Sequence, residues 1–192
     1  MRFPIPLSQP VLVVPGINGS GPEHWQSLWE AAFPNMHRVR QRDWDIPCYH
    51  VWRDCLERAV ASKRVPPIIV AHSLGCLLSV KWATTTRRKI RGLMLVAPPN
   101  PRRSDFPPYA SGFRGLVLRR LKMPSVVVAS RNDPYGALGY AQRCQRAWGS
   151  AFIDAGAVGH INAGSQLGNW PAGLAVLRRL GQADKRRSAS RY

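Results

Sequence analysis

Ser73 stands in Ile68-Ile69-Val70-Ala71-His72-Ser73-Leu74-Gly75, where a β-branched apolar run gives way to a helical pattern. A serine on so sharp a strand-to-helix turn is pushed toward solvent, and small flanking residues let the strained backbone pack closely. The segment Ala71-His72-Ser73-Leu74-Gly75 matches G-x-S-x-G except that alanine replaces the first glycine, which adds one methyl. The helix that follows points free N–H groups at the hydroxyl, so the Leu74 N–H is placed to bind an oxyanion. A bare S-x-G would suit a helix N-cap equally well. The complete strand, H-S-L-G and helix sequence instead predicts a nucleophile.

A serine hydroxyl needs a base, and the base needs a group that orients it. On this type of turn the chain order is serine, acid, histidine. Of the five histidines, at positions 24, 37, 50, 72 and 160, only His160 follows Ser73. It lies in Gly156-Ala157-Val158-Gly159-His160-Ile161-Asn162, a loop after the last expected strand, and is the predicted base. Asp105, Asp133 and Asp154 are the acids between the two. Asp133 directly follows the apolar run Ser125 to Ala129, which puts it on a loop leaving a strand at the same sheet edge as Ser73. It is the predicted acid, and a helix N-cap ahead of Pro134 is its plainer role. A second oxyanion donor is expected from the glycine-rich loop Pro15 to Gly21, with the Ile17 N–H favoured. That loop lacks the spacing of a phosphate-binding motif.

The elements that would position these groups alternate along the chain. Strands are expected at Val11 to Val14, around Val39, and at Ile68 to Ala71. Others are expected at Leu93 to Ala97, Ser125 to Ala129 and Ala151 to Ile153. Short continuous apolar runs suit strands buried on both faces of a parallel sheet. Trp52, Cys55, Leu56, Ala59 and Val60 form a helical stripe after Pro47, and Leu74 to Thr84 reads as a buried helix. Helices are also expected from Pro134 to Trp148 and from Trp170 to Leu180, each with proline near its first turn. The alternation implies a three-layer α/β fold with a mostly parallel sheet of six strands. Residues 1–182 are expected to form one domain, with 183–192 a basic, unstructured tail. The proline-rich stretch from Pro98 to Leu116 is the longest irregular segment and is expected to border the site.

The 28 Lys and Arg against 10 Asp and Glu give a formal charge of +18. The cations cluster in Arg87-Arg88-Lys89-Ile90-Arg91, Arg119-Arg120-Leu121-Lys122 and Lys185-Arg186-Arg187. Such a field can attract nucleic acid, anionic membrane or acidic substrates. No aromatic-interleaved basic stripe accompanies it, so no specific nucleic-acid partner is expected. No apolar run is long enough for membrane insertion. The proline-broken Met1 to Pro6 lacks the apolar block of a secretory signal, which predicts a cytoplasmic protein. Cys48, Cys55, Cys76 and Cys144 form no metal-binding or C-x-x-C pattern and are expected to be reduced.

Together these residues resemble the family of small, cap-free serine hydrolases that includes the mammalian retinoblastoma-binding serine hydrolase and bacterial relatives. The resemblance runs from Val11 to Leu180. It rests on Pro15-Gly16-Ile17-Asn18-Gly19-Ser20, Glu23-His24-Trp25-Gln26 and Ala71-His72-Ser73-Leu74-Gly75. Asn132-Asp133-Pro134-Tyr135, Ala147-Trp148-Gly149-Ser150, Gly159-His160-Ile161-Asn162 and Gly168-Asn169-Trp170-Pro171 add to it. It implies an α/β-hydrolase core without a large cap, a triad of Ser73, Asp133 and His160, and carboxylester hydrolysis. The mammalian member's L-x-C-x-E motif is absent, so its protein partner does not carry over, and the strong positive charge departs from the family.

The expected activity is hydrolysis of a small acyl ester through an acyl-enzyme, without metal or organic cofactor. The rival is a binding or regulatory protein on a hydrolase scaffold. Only about 25 residues separate the fourth and fifth strands, which predicts an open site for short acyl chains. Trp25 is expected in a helix core rather than in a pocket wall. His72 is expected as a packing or hydrogen-bonding neighbour of Ser73.

Overall fold

A computed structural model describes the chain from Gln9 through helix-ending Ala189; from residue 183 onward only the backbone is described. Six strands form one sheet: β1 (Val11–Val14), β2 (Met36–Arg38), β3 (Ile68–His72), β4 (Gly92–Val96), β5 (Ser125–Ala129) and β6 (Ala151–Asp154). Their order is β2-β1-β3-β4-β5-β6, and every pairing is parallel. Five helices connect or flank them: α1 (Trp25–Ala32), α2 (Tyr49–Ala61), α3 (Leu74–Ala83), α4 (Leu138–Trp148) and α5 (Pro171–Ala189).

Because successive strand side chains face opposite ways, each apolar run feeds two cores at once. Leu12, Val14, Ile69, Ala71, Leu93, Leu95 and Val127 pack with Trp52 and Leu56 of α2, Leu77 and Leu78 of α3, and Trp148 of α4. Val11, Val13, Ile68, Val70, Met94 and Val128 pack with Trp25 and Trp29 of α1 and Leu174 and Leu177 of α5. The fold is thus a three-layer α/β hydrolase without a large cap.

The chain leaves β1 toward one edge of the sheet and returns to build β3 on the other side. Accordingly α1 covers one face and α3 the opposite face. Loops that diverge in this way open a crevice at the carboxyl ends of β1 and β3, where open α/β sheets bind ligands.

Two helix boundaries and one strand differ from expectation. Helix α4 begins at Leu138, after Ala137, because Pro134 to Gly136 form a turn that packs on the segment after β4. The second strand lies at Met36–Arg38, one residue before Val39, whose N–H still donates to the Val13 carbonyl. Helix α5 runs on as backbone to Ala189, past the expected tail boundary at 183; the side chains of that tail, and residues 190–192, lie outside the described residues.

Candidate active site

Ser73 has φ 52° and ψ −126°, a left-handed setting that a non-glycine residue adopts only when its surroundings enforce it. Its N–H donates to the Val96 carbonyl of β4 at 3.0 Å. Two glycines make the turn fit. A Cβ on Gly75 would sit 2.4 Å from the Val14 oxygen and 2.6 Å from that of Pro15. A Cβ on Gly16 would sit 2.8 Å from the Ser73 Cβ and 3.1 Å from the Leu74 nitrogen. Alanine at position 71 is tolerated, fully buried in the strand.

The Ser73 side chain makes no cap to its helix. Its Oγ lies 2.9 Å from His160 Nε2 instead. His160 Nδ1 lies 2.9 Å from both carboxylate oxygens of Asp133. With a carboxylate facing Nδ1, the proton of a neutral imidazole sits there, and Nε2 is left to accept from the Ser73 hydroxyl. Asp133 and His160 are both buried. Asp133 Oδ1 also accepts the Tyr135 N–H at 2.9 Å, so its turn role is an Asx turn rather than a helix cap.

The other two acids are engaged by arginines, Asp105 at the rim of the cleft and Asp154 outside it. Asp105 is exposed and held by two guanidinium nitrogens of Arg103, Nε and Nη2, and Asp154 pairs with Arg131. Their salt bridges hold both carboxyls below the usual carboxylate range, the Asp154 one with help from the Gly156 N–H.

The loop carrying His160 is fastened on every side. Asn132 Oδ1 accepts from the Gly159 N–H at 2.7 Å, and Ser130 Oγ accepts from the Val158 N–H at 3.0 Å. His72 Nε2 donates to the His160 carbonyl at 2.9 Å, and Trp25 Nε1 donates to the Ile161 carbonyl at 2.8 Å. The buried Ile161 itself has φ 49°. Tyr135 covers the imidazole edge-on, ring centroids 4.6 Å apart.

Beside Ser73, the N–H groups of Leu74 and Ile17 have no backbone acceptor among the described residues. Leu74 is the first residue of α3, where helical N–H groups lack intrahelical partners. The loop carrying Ile17 is tied to the sheet through Gln26, fully buried, whose Nε2 donates to the Val70 carbonyl and whose Oε1 accepts from Ser20 Oγ.

A cleft of about 390 Å³ opens over these groups. Ile17, Ser73, Leu74 and His160 lie at it, and Pro99, Phe106 and Tyr109 of the irregular segment after β4 wall it. Trp25 is buried in the core between Trp29 and Trp170 and does not line the cleft.

His72 and His24 also border the cleft; His72 is the hydrogen-bonding neighbour of the nucleophile that the sequence leads one to expect, whereas the sequence reading assigns His24 no role. Burial pushes the His72 imidazole well below its ordinary range, reinforced by His160 and His24. Burial, with the Arg38 charge and His160 nearby, lowers His24 to about 4. Both rings are therefore neutral near pH 7. His24 Nδ1 accepts the Gln26 N–H at the start of α1, a polar cap that the Glu23-His24-Trp25-Gln26 string could have signalled.

Fold and crevice define a serine hydrolase of the α/β-hydrolase class. The chain belongs to the Serine hydrolase family, whose profile matches residues 11–179. It is similar to a YdeN-like hydrolase from Pectobacterium atrosepticum, with 34% identity, 92% of each chain covered and a TM-score of 0.84. The ydeN gene product of B. subtilis shares the fold at 16% identity and a TM-score of 0.73, over 90% of this chain and 98% of that one. The type II thioesterase BorB from the borrelidin biosynthetic cluster shares it at 16% identity and a TM-score of 0.65, over 90% and 93%. No curated protein matches the chain in sequence. Among the described residues no helix is long and apolar enough to cross a membrane.

Proposed function

We propose that this hydrolase cleaves small carboxyl esters through an acyl-enzyme on Ser73. The observation that carries the reading is the unbroken line of contacts from Asp133 through His160 to Ser73 Oγ, each 2.9 Å, at a cleft. His160 Nε2 takes the hydroxyl proton as Oγ attacks the ester carbonyl, and Asp133 holds the tautomer and balances the imidazolium. The Leu74 and Ile17 N–H groups receive the negative charge that develops on the carbonyl oxygen. His160 then returns the proton to the leaving alkoxide. Water, deprotonated by the same nitrogen, releases the acid and restores Ser73.

The reading assigns no step to a metal or organic cofactor. The cleft volume of about 390 Å³, toward the small end of ligand sites, supports a preference for short acyl groups. Steady-state hydrolysis of p-nitrophenyl esters of graded chain length tests this. Acetate and butyrate esters should be cleaved, with kcat/KM falling beyond roughly ten carbons, and Ser73→Ala should lose at least about a thousandfold. Wild-type rates that rise steadily with chain length would overturn the short-acyl preference, and equal rates in Ser73→Ala would overturn the mechanism.

A further inference from the structure

Because all six strands run the same way, every strand has its carboxyl end at the cleft and its amino end at the opposite edge. Acidic residues gather at the cleft edge, where Arg40, Arg42, Arg102, Arg103 and Arg131 offset them. Glu23, Asp43, Asp45, Asp105, Asp133 and Asp154 lie on loops leaving strands or at a strand's carboxyl end. The loops that enter the strands are basic instead. Lys63 and Arg64 precede β3, and Arg87, Arg88 and Lys89 precede β4. Arg119, Arg120 and Lys122 precede β5.

Strands β3, β4 and β5 are neighbours, so the three loops adjoin. The Arg91 N–H donates to the Pro67 carbonyl, and the Leu93 N–H to that of Pro124, joining each loop to the next. All of these cations but the half-buried Lys63 are exposed. Among the described residues the acid set against them is Glu57, which pairs with Arg88. Two of the large apolar side chains most open to solvent belong to the same loops: Val65, 47% exposed, follows Arg64, and Leu118, 52% exposed, precedes Arg119.

We propose that this amino-end edge is a peripheral docking surface for a lipid membrane rich in anionic headgroups. Arginine and lysine draw a protein to such a leaflet, and adjacent aliphatic side chains enter the headgroup boundary. Nucleic acid fits the surface less well. Among the described residues the exposed tyrosines, Tyr109 and Tyr135, border the cleft at the far edge, so the basic loops offer no exposed aromatic for base stacking. A docked molecule holds its cleft toward the aqueous phase, which suits a water-soluble ester. The docking surface stands independently of the chemistry assigned to Ser73.

Flotation of the full chain with vesicles tests the proposal. Vesicles of phosphatidylcholine containing one third phosphatidylglycerol should carry the protein, pure phosphatidylcholine vesicles should not, and added salt should release it. The triple variant Arg119→Gln, Arg120→Gln, Lys122→Gln should partition roughly a hundredfold less, about fivefold per charge. Val65→Ser with Leu118→Ser, unchanged in charge, should lose several-fold. Unaltered melting temperature and ester hydrolysis in both variants would show that the fold is intact. Equal binding to neutral vesicles, no binding to either, or full binding by the triple variant would overturn the proposal. Tighter capture by duplex DNA than by anionic vesicles, insensitive to the two serines, would overturn it in favour of a nucleic-acid surface.

Discussion

The Nε2 of His72 lies 2.9 Å from the carbonyl oxygen of His160, so the residue preceding Ser73 grips the backbone of the residue whose imidazole faces Ser73. One residue on, Trp25 Nε1 grips the next carbonyl, that of Ile161, whose backbone is left-handed. Two ring donors distant in sequence thus fix consecutive peptide groups in a conformation that costs about 1–3 kcal/mol on its own.

His72→Phe keeps a ring but removes the donor, leaving a buried carbonyl unpaired at a cost of about 1–3 kcal/mol. The expected result is a fall in kcat of roughly tenfold or more with KM little changed, because the imidazole is displaced and the cleft is not. His72→Gln, which restores an N–H at similar reach, should recover most of the rate. Equal losses in both variants would show that His72 acts through packing alone.

Asp133→Asn should lower kcat by about a thousandfold or more, because an amide facing Nδ1 favours the tautomer whose Nε2 already carries a proton. Asp105→Asn and Asp154→Asn remove acids committed to Arg103 and Arg131 and should hydrolyse esters at nearly the wild-type rate. Ester kinetics on the three variants distinguish the assignments directly.

Two buried neutral histidines make the fold sensitive to acid. His24 falls from 6.5 to about 4 in the folded chain, chiefly through burial, and His72 is lowered too. Below pH 6.5 the unfolded chain binds protons that the folded chain refuses, so stability is lost as pH falls from 6.5 toward 4. His24 alone accounts for about 3 kcal/mol at the acid end of that window. Urea midpoints should drop across it in wild type and drop less in His24→Asn, whose shorter side chain can still accept at the helix start. Identical slopes would refute the assignment to His24.

Gly75→Ala places a methyl within 2.6 Å of two backbone oxygens that belong to β1 and its loop. It should destabilise the protein by about 1–3 kcal/mol, visible as a lower urea midpoint. Gly16→Ala meets the Ser73 Cβ instead, and should reduce kcat with a smaller loss of stability.

Much of this was legible in the sequence because burial on both faces turns strands into plain apolar runs. Ile68 to Ala71 and Ser125 to Ala129 stand out for that reason and coincide with β3 and β5. The expected order of serine, acid and histidine singles out His160, and the strand that precedes Asp133 favours that acid; His160 lies between Asp133 and Ser73. What did not show were contacts between elements far apart in the chain. Nothing local in His72 announces a partner 88 residues away, nor does Trp25 announce Ile161. The start of α4 was misplaced because Pro134 favours a first helical turn, whereas here the Asx turn of Asp133 and the close approach of Gly136 to the Pro98 carbonyl take precedence. The clusters from Arg87 to Arg91 and from Arg119 to Lys122 are visible too, but their gathering on one edge depends on the strand order.

The central claim is that Ser73 is the nucleophile, and an alkyl fluorophosphonate tests it most directly. Mass spectrometry of the digested adduct should find a single phosphonyl group on the Ser73 peptide in wild type, none in Ser73→Ala, and much slower labelling in His160→Gln. Labelling that persists in Ser73→Ala, or a wild-type protein left unmodified, would contradict the account.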